Sequence, residues 1–144
     1  MKTIEGNLLD QSPGVLCHQV NLRGIMGAGI ALQIRQKWPA VHDDYVRYCR
    51  KGAAVGDVLF SPVRPDLFVA NLFGQMDEPV NGSVTNYIAY GGMLEKVHVF
   101  AWSRGLPIYL PHGIGCGIAG GTWALMEFTL GNHVPDATLV RYQP

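Results

Sequence analysis

Charge of one sign is what this 144-residue sequence has least to spare: 11 Lys and Arg stand against 11 Asp and Glu, giving a formal net charge of zero. Proteins that capture nucleic acid or anionic membranes by bulk electrostatics carry a basic excess, so extended polyanion contacts are not expected here. Only 15% of residues are charged and 48% are hydrophobic, which excludes a disordered, charge-driven chain. Cysteine is sparse too. Cys17, Cys49 and Cys116 are odd in number and widely spaced with no C-x-x-C pair, so neither a disulfide framework nor a zinc clamp is expected. The five histidines show no ligand spacing, and neither a metal nor a cofactor is anticipated. No stretch approaches the roughly 18 uninterrupted apolar residues of a membrane span, and Met1–Gly6 lacks the apolar segment of a secretory signal. These absences predict a soluble protein of a reducing, cytoplasmic compartment, monomeric and without membrane contact.

What is present is enough apolar material for one core, punctuated by 18 glycines and 9 prolines, and the chain reads as a single domain over 1–144. The apolar run Val15 to Val20 predicts a strand feeding the loop Asn21-Leu22-Arg23-Gly24. Ile30, Ile34 and Trp38 then recur at helical intervals, and Pro39 ends that helix. A second helix is expected from Ala40 to Arg50, and two adjacent strands from Asp57 to Val63 and Leu67 to Phe73 around the Pro65-Asp66 turn. Tyr87, Gly91, Leu94, Val97 and Ala101 mark the longest helix, although each of Gly91 and Gly92 should cost it about 1 kcal/mol. A short strand from Pro107 to Leu110, a helix carrying Trp123, Met126 and Leu130, and a last strand from Thr138 to Tyr142 complete the pattern. Strands alternating with helices predict a layered α/β domain with a mostly parallel sheet.

Two glycine loops, Gly24 to Ala31 and Gly113 to Gly121, each follow a predicted strand and open into a predicted helix. Glycine lets backbone approach a ligand closely, and the first N–H groups of a helix are unpaired, so such a loop suits a phosphate. Tight turns and close helix–sheet packing would use the same residues, and for one loop alone the two readings weigh equally. Two loops at the carboxyl ends of strands favour a diphosphate held between them. A dinucleotide-binding reading of Gly115, Gly117 and Gly120 fails on position, because only 24 residues follow Gly120. A P-loop fails because neither loop is followed by Lys-Ser or Lys-Thr. Cys116 could be an acidified thiol, but the arginine of a cysteine-phosphatase loop is replaced by Thr122, and a small apolar filler is the expected state.

Glu5-Gly6-Asn7-Leu8-Leu9, Cys17-His18-Gln19-Val20-Asn21, Gly24 to Ala31 and Leu110 to Trp123 occur in an order and spacing that resemble a macro domain over nearly the whole chain. The likeness is greatest to the branch holding ADP-ribose-1''-phosphate phosphatases and terminal ADP-ribose glycohydrolases. It implies a three-layer α/β/α sandwich around a mixed, mostly parallel sheet, with a cleft for ADP-ribose or a derivative. It places adenine recognition at Asn7, beside Leu8, where relatives carry an aspartate. It also matches Asn21 to the distal ribose, Gly27, Ala28, Gly29 and Ile30 to a first diphosphate loop, and Gly115, Cys116, Gly117 and Ile118 to a second. Phe73, Gly74 and Gln75 fall at the strand end beside that ribose.

Catalysis departs from the pattern. The lysine of the glycohydrolases is missing from Phe73-Gly74-Gln75-Met76, Ala119 stands where their aspartate belongs, and Gly29-Ile30-Ala31 lacks the activating aspartate of the other hydrolases. His18 is the remaining candidate, expected to move a proton near neutral pH, against the alternative of a strand histidine satisfied in the core. His112 is expected as a turn residue within reach of phosphate, Asp77 and Glu78 as a solvated loop, and Trp123 as helix packing. The expected activity is hydrolysis of ADP-ribose-1''-phosphate, with a non-catalytic binding module, or an ADP-ribosyl hydrolase acting on protein or nucleic acid, as alternatives.

Overall fold

The computed structural model describes residues 1–78, 82–116 and 122–143, with the side chains of 76–78 and 82–84 outside the description. Strands β1 (Lys2–Gly6), β2 (Gly14–Gln19), β3 (Val58–Arg64), β4 (Leu67–Leu72), β7 (Ile108–Pro111) and β8 (Thr138–Tyr142) form a six-stranded sheet of order β1-β8-β7-β2-β4-β3. All neighbours run parallel except β3, which returns antiparallel on β4 through the Pro65-Asp66 turn. The sheet is therefore mixed and mostly parallel, as the alternation of elements predicts.

Side chains alternate across β2 and β4, and the two sets meet different helices. Val15, Cys17, Ala70 and Leu72 pack with Tyr90, Met93, Leu94 and Val97 of α3 (Tyr87–Arg104) and with Met126 and Leu130 of α4 (Trp123–His133). On the opposite face, Leu16 and Val69 lie towards α1 (Gly29–Lys37) and α2 (Pro39–Arg50), whose Ile34, Val41 and Tyr45 are fully buried. Helices on both faces of one sheet make the three-layer sandwich.

Local chemistry sets the boundaries. Trp38 N–H closes α1 on Ile34 O at 2.7 Å, and Pro39, which has no N–H to lose, starts α2. Asn86 caps α3 by accepting from Ala89 N–H, and Gly105 ends it in the left-handed conformation at φ 63°. The Gly91-Gly92 pair does not break this helix. A Cβ on Gly91 would lie 3.2 Å from His133 Nε2, so the missing side chain admits α4 against α3.

Two elements escape apolar-run reasoning. β1 is an edge strand with mostly exposed side chains, recruited by backbone pairing from Lys2↔Thr138 to Gly6↔Tyr142. Gln75–Glu78, with Asp77 and Glu78 expected in a loop, forms strand β5 and pairs antiparallel with β6 (Gly82–Thr85). Among the described residues no helix is long and apolar enough to cross a membrane.

Candidate functional site

At the carboxyl end of β2 the chain leaves the sheet through Val20, whose N–H reaches Leu72 O at 2.8 Å. The next residue, Asn21, folds the loop with its whole carboxamide. Oδ1 accepts from Arg23 N–H at 2.9 Å, and Nδ2 donates to Ile25 O at 2.9 Å. Tyr45 Oη on α2 lies 2.7 Å from both Asn21 O and Asn21 Oδ1 and donates into this pair. Met26 anchors the loop in a pocket of Val20, Tyr45 and Phe73, and the backbone then crosses into α1.

The start of α1 is left open. Ala28 caps it with no side-chain hydrogen bond, its first turn holds no acid, and Gly29 takes φ 56°. The leading N–H groups of Gly29, Ile30 and Ala31 have no partner inside the helix, and the helix dipole adds positive potential there. These residues, with Gly27 and Ala28, line a cavity of about 510 Å³.

Its opposite wall comes from the turn after β7. His112 N–H donates to Val140 O and Cys116 N–H to Gly113 O, which closes a tight loop over Gly113 (φ 86°) and Gly115 (φ 75°). Only glycine takes such backbone freely. A Cβ on Gly115 would also lie 3.0 Å from Met126 Cε and 3.2 Å from Gln19 Oε1. Thr85 hydroxyl donates to Gly115 O at 2.6 Å, and Gln19 joins Thr85 Oγ1 to Tyr90 Oη. The second loop is thus tied to β2, β6 and α3.

His18, Asn21, Gly27, Ala28, Gly29, Ile30, Gln75 and Gly115, all singled out from sequence, meet on this one cavity, together with His112. Others stand elsewhere. Asn7 caps a short 3₁₀ turn by accepting from Leu9 N–H, and Leu8 packs on Leu16, Leu67 and Val140. Phe73 is fully buried against Tyr45 and Tyr48, so it supports the first loop from beneath. Cys116 is half-buried and donates to Ile114 O at 3.5 Å. Burial pushes its thiol up, the reverse of an acidified nucleophile. Trp123 lies against His112 with ring centres 4.5 Å apart and planes tilted by 44°, so it touches a cavity residue as well as packing the helix. Gly117, Ile118 and Ala119 lie outside the described residues, as do the side chains of Asp77 and Glu78.

His18 differs from its expected behaviour. It is 2% exposed, and burial lowers its pKa to about 4, against the hydrogen bond to Asn71 that raises it. With this pKa the resting ring is neutral near physiological pH.

Sequence reasoning passed over Gln19, Arg23, Tyr45, Asn71 and Thr85. For Asn71 a signal existed: a lone amide inside the apolar run Leu67–Phe73 has to find a buried partner. Arg23 is the one Lys or Arg among the described lining residues, and none of those residues is Asp or Glu. Open helix N–H groups, one guanidinium and no carboxylate suit an anion.

No protein-family model matches the chain. It is 27% identical over 154 residues to a DNA ADP-ribosyl glycohydrolase of Mycobacterium tuberculosis, covering 96% of this chain and 41% of that protein. It is 40% identical over 52 residues to an ADP-ribose 1''-phosphate phosphatase of Aspergillus oryzae, covering 35% of this chain and 26% of that one. The chain thus spans less than half the length of each of these curated relatives. A solved macrodomain protein from Streptomyces coelicolor superposes with a TM-score of 0.82 at 25% identity, over 99% of this chain and 98% of its own. The sandwich, the cleft between two glycine loops and these likenesses agree on one assignment: the chain has the macrodomain fold and is similar to a solved macrodomain protein over nearly its whole length.

Proposed function

We propose that the cleft binds ADP-ribose and that the protein hydrolyses a small ADP-ribose derivative at the distal ribose, with ADP-ribose-1''-phosphate as the substrate. One observation carries the reading: the described wall presents the uncapped first turn of α1 to the cavity, and no Asp or Glu to repel an anion there. A diphosphate between Gly27–Ile30 and the turn at Gly115 would leave the distal sugar towards His18, Asn21 and Gln75. Water then adds to phosphorus as the bond to the 1''-oxygen breaks, giving phosphate and ADP-ribose. With His18 neutral and no carboxylate among the described lining residues, the rate gain rests on holding substrate and water in line.

A second substrate is favoured by the likeness to the DNA ADP-ribosyl glycohydrolase, which runs over 96% of this chain where that to the phosphatase runs over 35%. The assay therefore compares phosphate release from ADP-ribose-1''-phosphate with ADP-ribose release from modified DNA and modified protein. Calorimetric titration with ADP-ribose accompanies it, with AMP and NAD as controls. Saturable binding selective for ADP-ribose together with phosphate release is the expected result. Binding without release from any substrate would leave a recognition module, and no binding would end the reading altogether.

A further inference from the structure

We infer that Asn71 locks His18 in one tautomer, so that the imidazole Nδ1 is a fixed acceptor for a sugar hydroxyl of the bound ligand. The inference deepens the proposed function and rests on it. His18 on β2 and Asn71 on β4 face each other in register, and Nε2 of the ring is 2.7 Å from Asn71 Oδ1. Which atom carries the hydrogen follows from the other end of the amide. Asn71 Nδ2 gives its two hydrogens to Leu59 O at 2.9 Å and Ser61 Oγ at 3.1 Å, both on β3. Turning the amide over would set its oxygen against the Leu59 carbonyl, acceptor against acceptor. Oδ1 therefore faces the imidazole, and Nε2 is the protonated nitrogen.

A neutral imidazole has one N–H, so Nδ1 presents a bare lone pair. That atom is buried and is the one buried side-chain polar atom without a hydrogen-bond partner among the described residues. Charging the ring would turn Nδ1 into a donor, but burial holds the ring neutral. An unpaired buried acceptor is a standing cost that a matching donor removes. His18 lines the same cavity as Asn21 and Gly27 to Ala31. An ionised phosphate oxygen has no hydrogen to offer and would meet the lone pair with its own. A hydroxyl fits, so the sugar of the ligand, and not its phosphate, lies against His18.

The test is a long-range proton–nitrogen correlation spectrum of the full chain labelled with ¹⁵N-histidine. In the free protein His18 should show Nε2 protonated and Nδ1 bare. Adding ADP-ribose should move the Nδ1 resonance in the direction of an accepted hydrogen bond, and inorganic pyrophosphate should leave it in place. A free protein protonated on Nδ1 overturns the inference, as does an equal response to pyrophosphate. If calorimetry records ADP-ribose binding while Nδ1 stays unmoved, the inference falls and the proposed function stands. If ADP-ribose does not bind, both fall. Asn71→Asp supplies a second test, because a carboxylate there favours the imidazolium and puts a hydrogen on Nδ1. The folded variant should bring the His18 titration towards neutrality and bind ADP-ribose roughly tenfold more weakly. A protonated His18 with unchanged affinity would overturn the assignment, and the wild-type spectra decide the matter if the variant does not fold.

Discussion

The hydroxyl of Tyr45 lies 2.7 Å from both the backbone oxygen and the side-chain oxygen of Asn21, and so fastens α2 to the loop that leads into the start of α1. Asn21 in turn holds Arg23 and Ile25, and one buried phenol thereby governs the shape of three residues of the cleft wall. Tyr45→Phe keeps the ring packing and removes only this link. It should cost about 1 kcal/mol in urea unfolding and weaken ADP-ribose binding several-fold by calorimetry. Unchanged affinity would show that the loop holds its form without α2.

The two glycine loops should respond unequally to alanine. Gly29 is left-handed with open space around its missing Cβ, so Gly29→Ala carries a conformational cost of about 1–2 kcal/mol and no clash. Gly115→Ala adds crowding against Met126, Gln19 and Thr85 to the same backbone cost, about 1–3 kcal/mol more. Denaturant midpoints of the two variants, measured side by side, test this order.

Arg23 is exposed at the cavity rim, where its attraction for an anion is screened by salt. Arg23→Gln should lower ADP-ribose affinity by roughly three- to tenfold at low ionic strength, and the gap should narrow as salt is added. A gap that does not change with salt would mean that Arg23 acts through the shape of the loop.

Acid should destabilise the protein through His18. Its pKa falls from 6.5 in the unfolded chain to about 4 in the fold, so between these values the unfolded state binds the extra proton. Stability is complete above the unfolded value and is lost as pH drops towards 4, by up to about 3 kcal/mol from this residue. Urea unfolding at neutral pH and at about pH 4.5 should show the loss, and His18→Gln should reduce it. Equal losses in the two proteins would place the acid sensitivity elsewhere.

Much of this molecule is local in origin and therefore readable along the chain. Ile30 and Ile34 at helical spacing, Pro39 after α1 and the Pro65-Asp66 turn each act within a few residues, and each sits where its own chemistry requires. The glycines of the two loops were legible for the same reason, since backbone freedom is a property of the residue. β1 was not legible: Lys2, Thr3 and Glu5 carry no apolar signal, and the strand exists because β8 offers it an edge across more than 130 residues. Gly91 was legible only as a helix breaker, because its use depends on His133 of a different helix.

The layered α/β class, the two glycine turns at strand ends and the candidacy of His18 follow from the order of residues. The chemical state of His18 comes from the folded sheet. A histidine alone is a proton carrier near neutral pH. Buried on β2 with its Nε2 hydrogen held by Asn71, an amide oriented by two groups on β3, it becomes a neutral acceptor. Tautomer and pKa are set by desolvation and by hydrogen bonds to distant strands, and those partners come together only when the sheet forms.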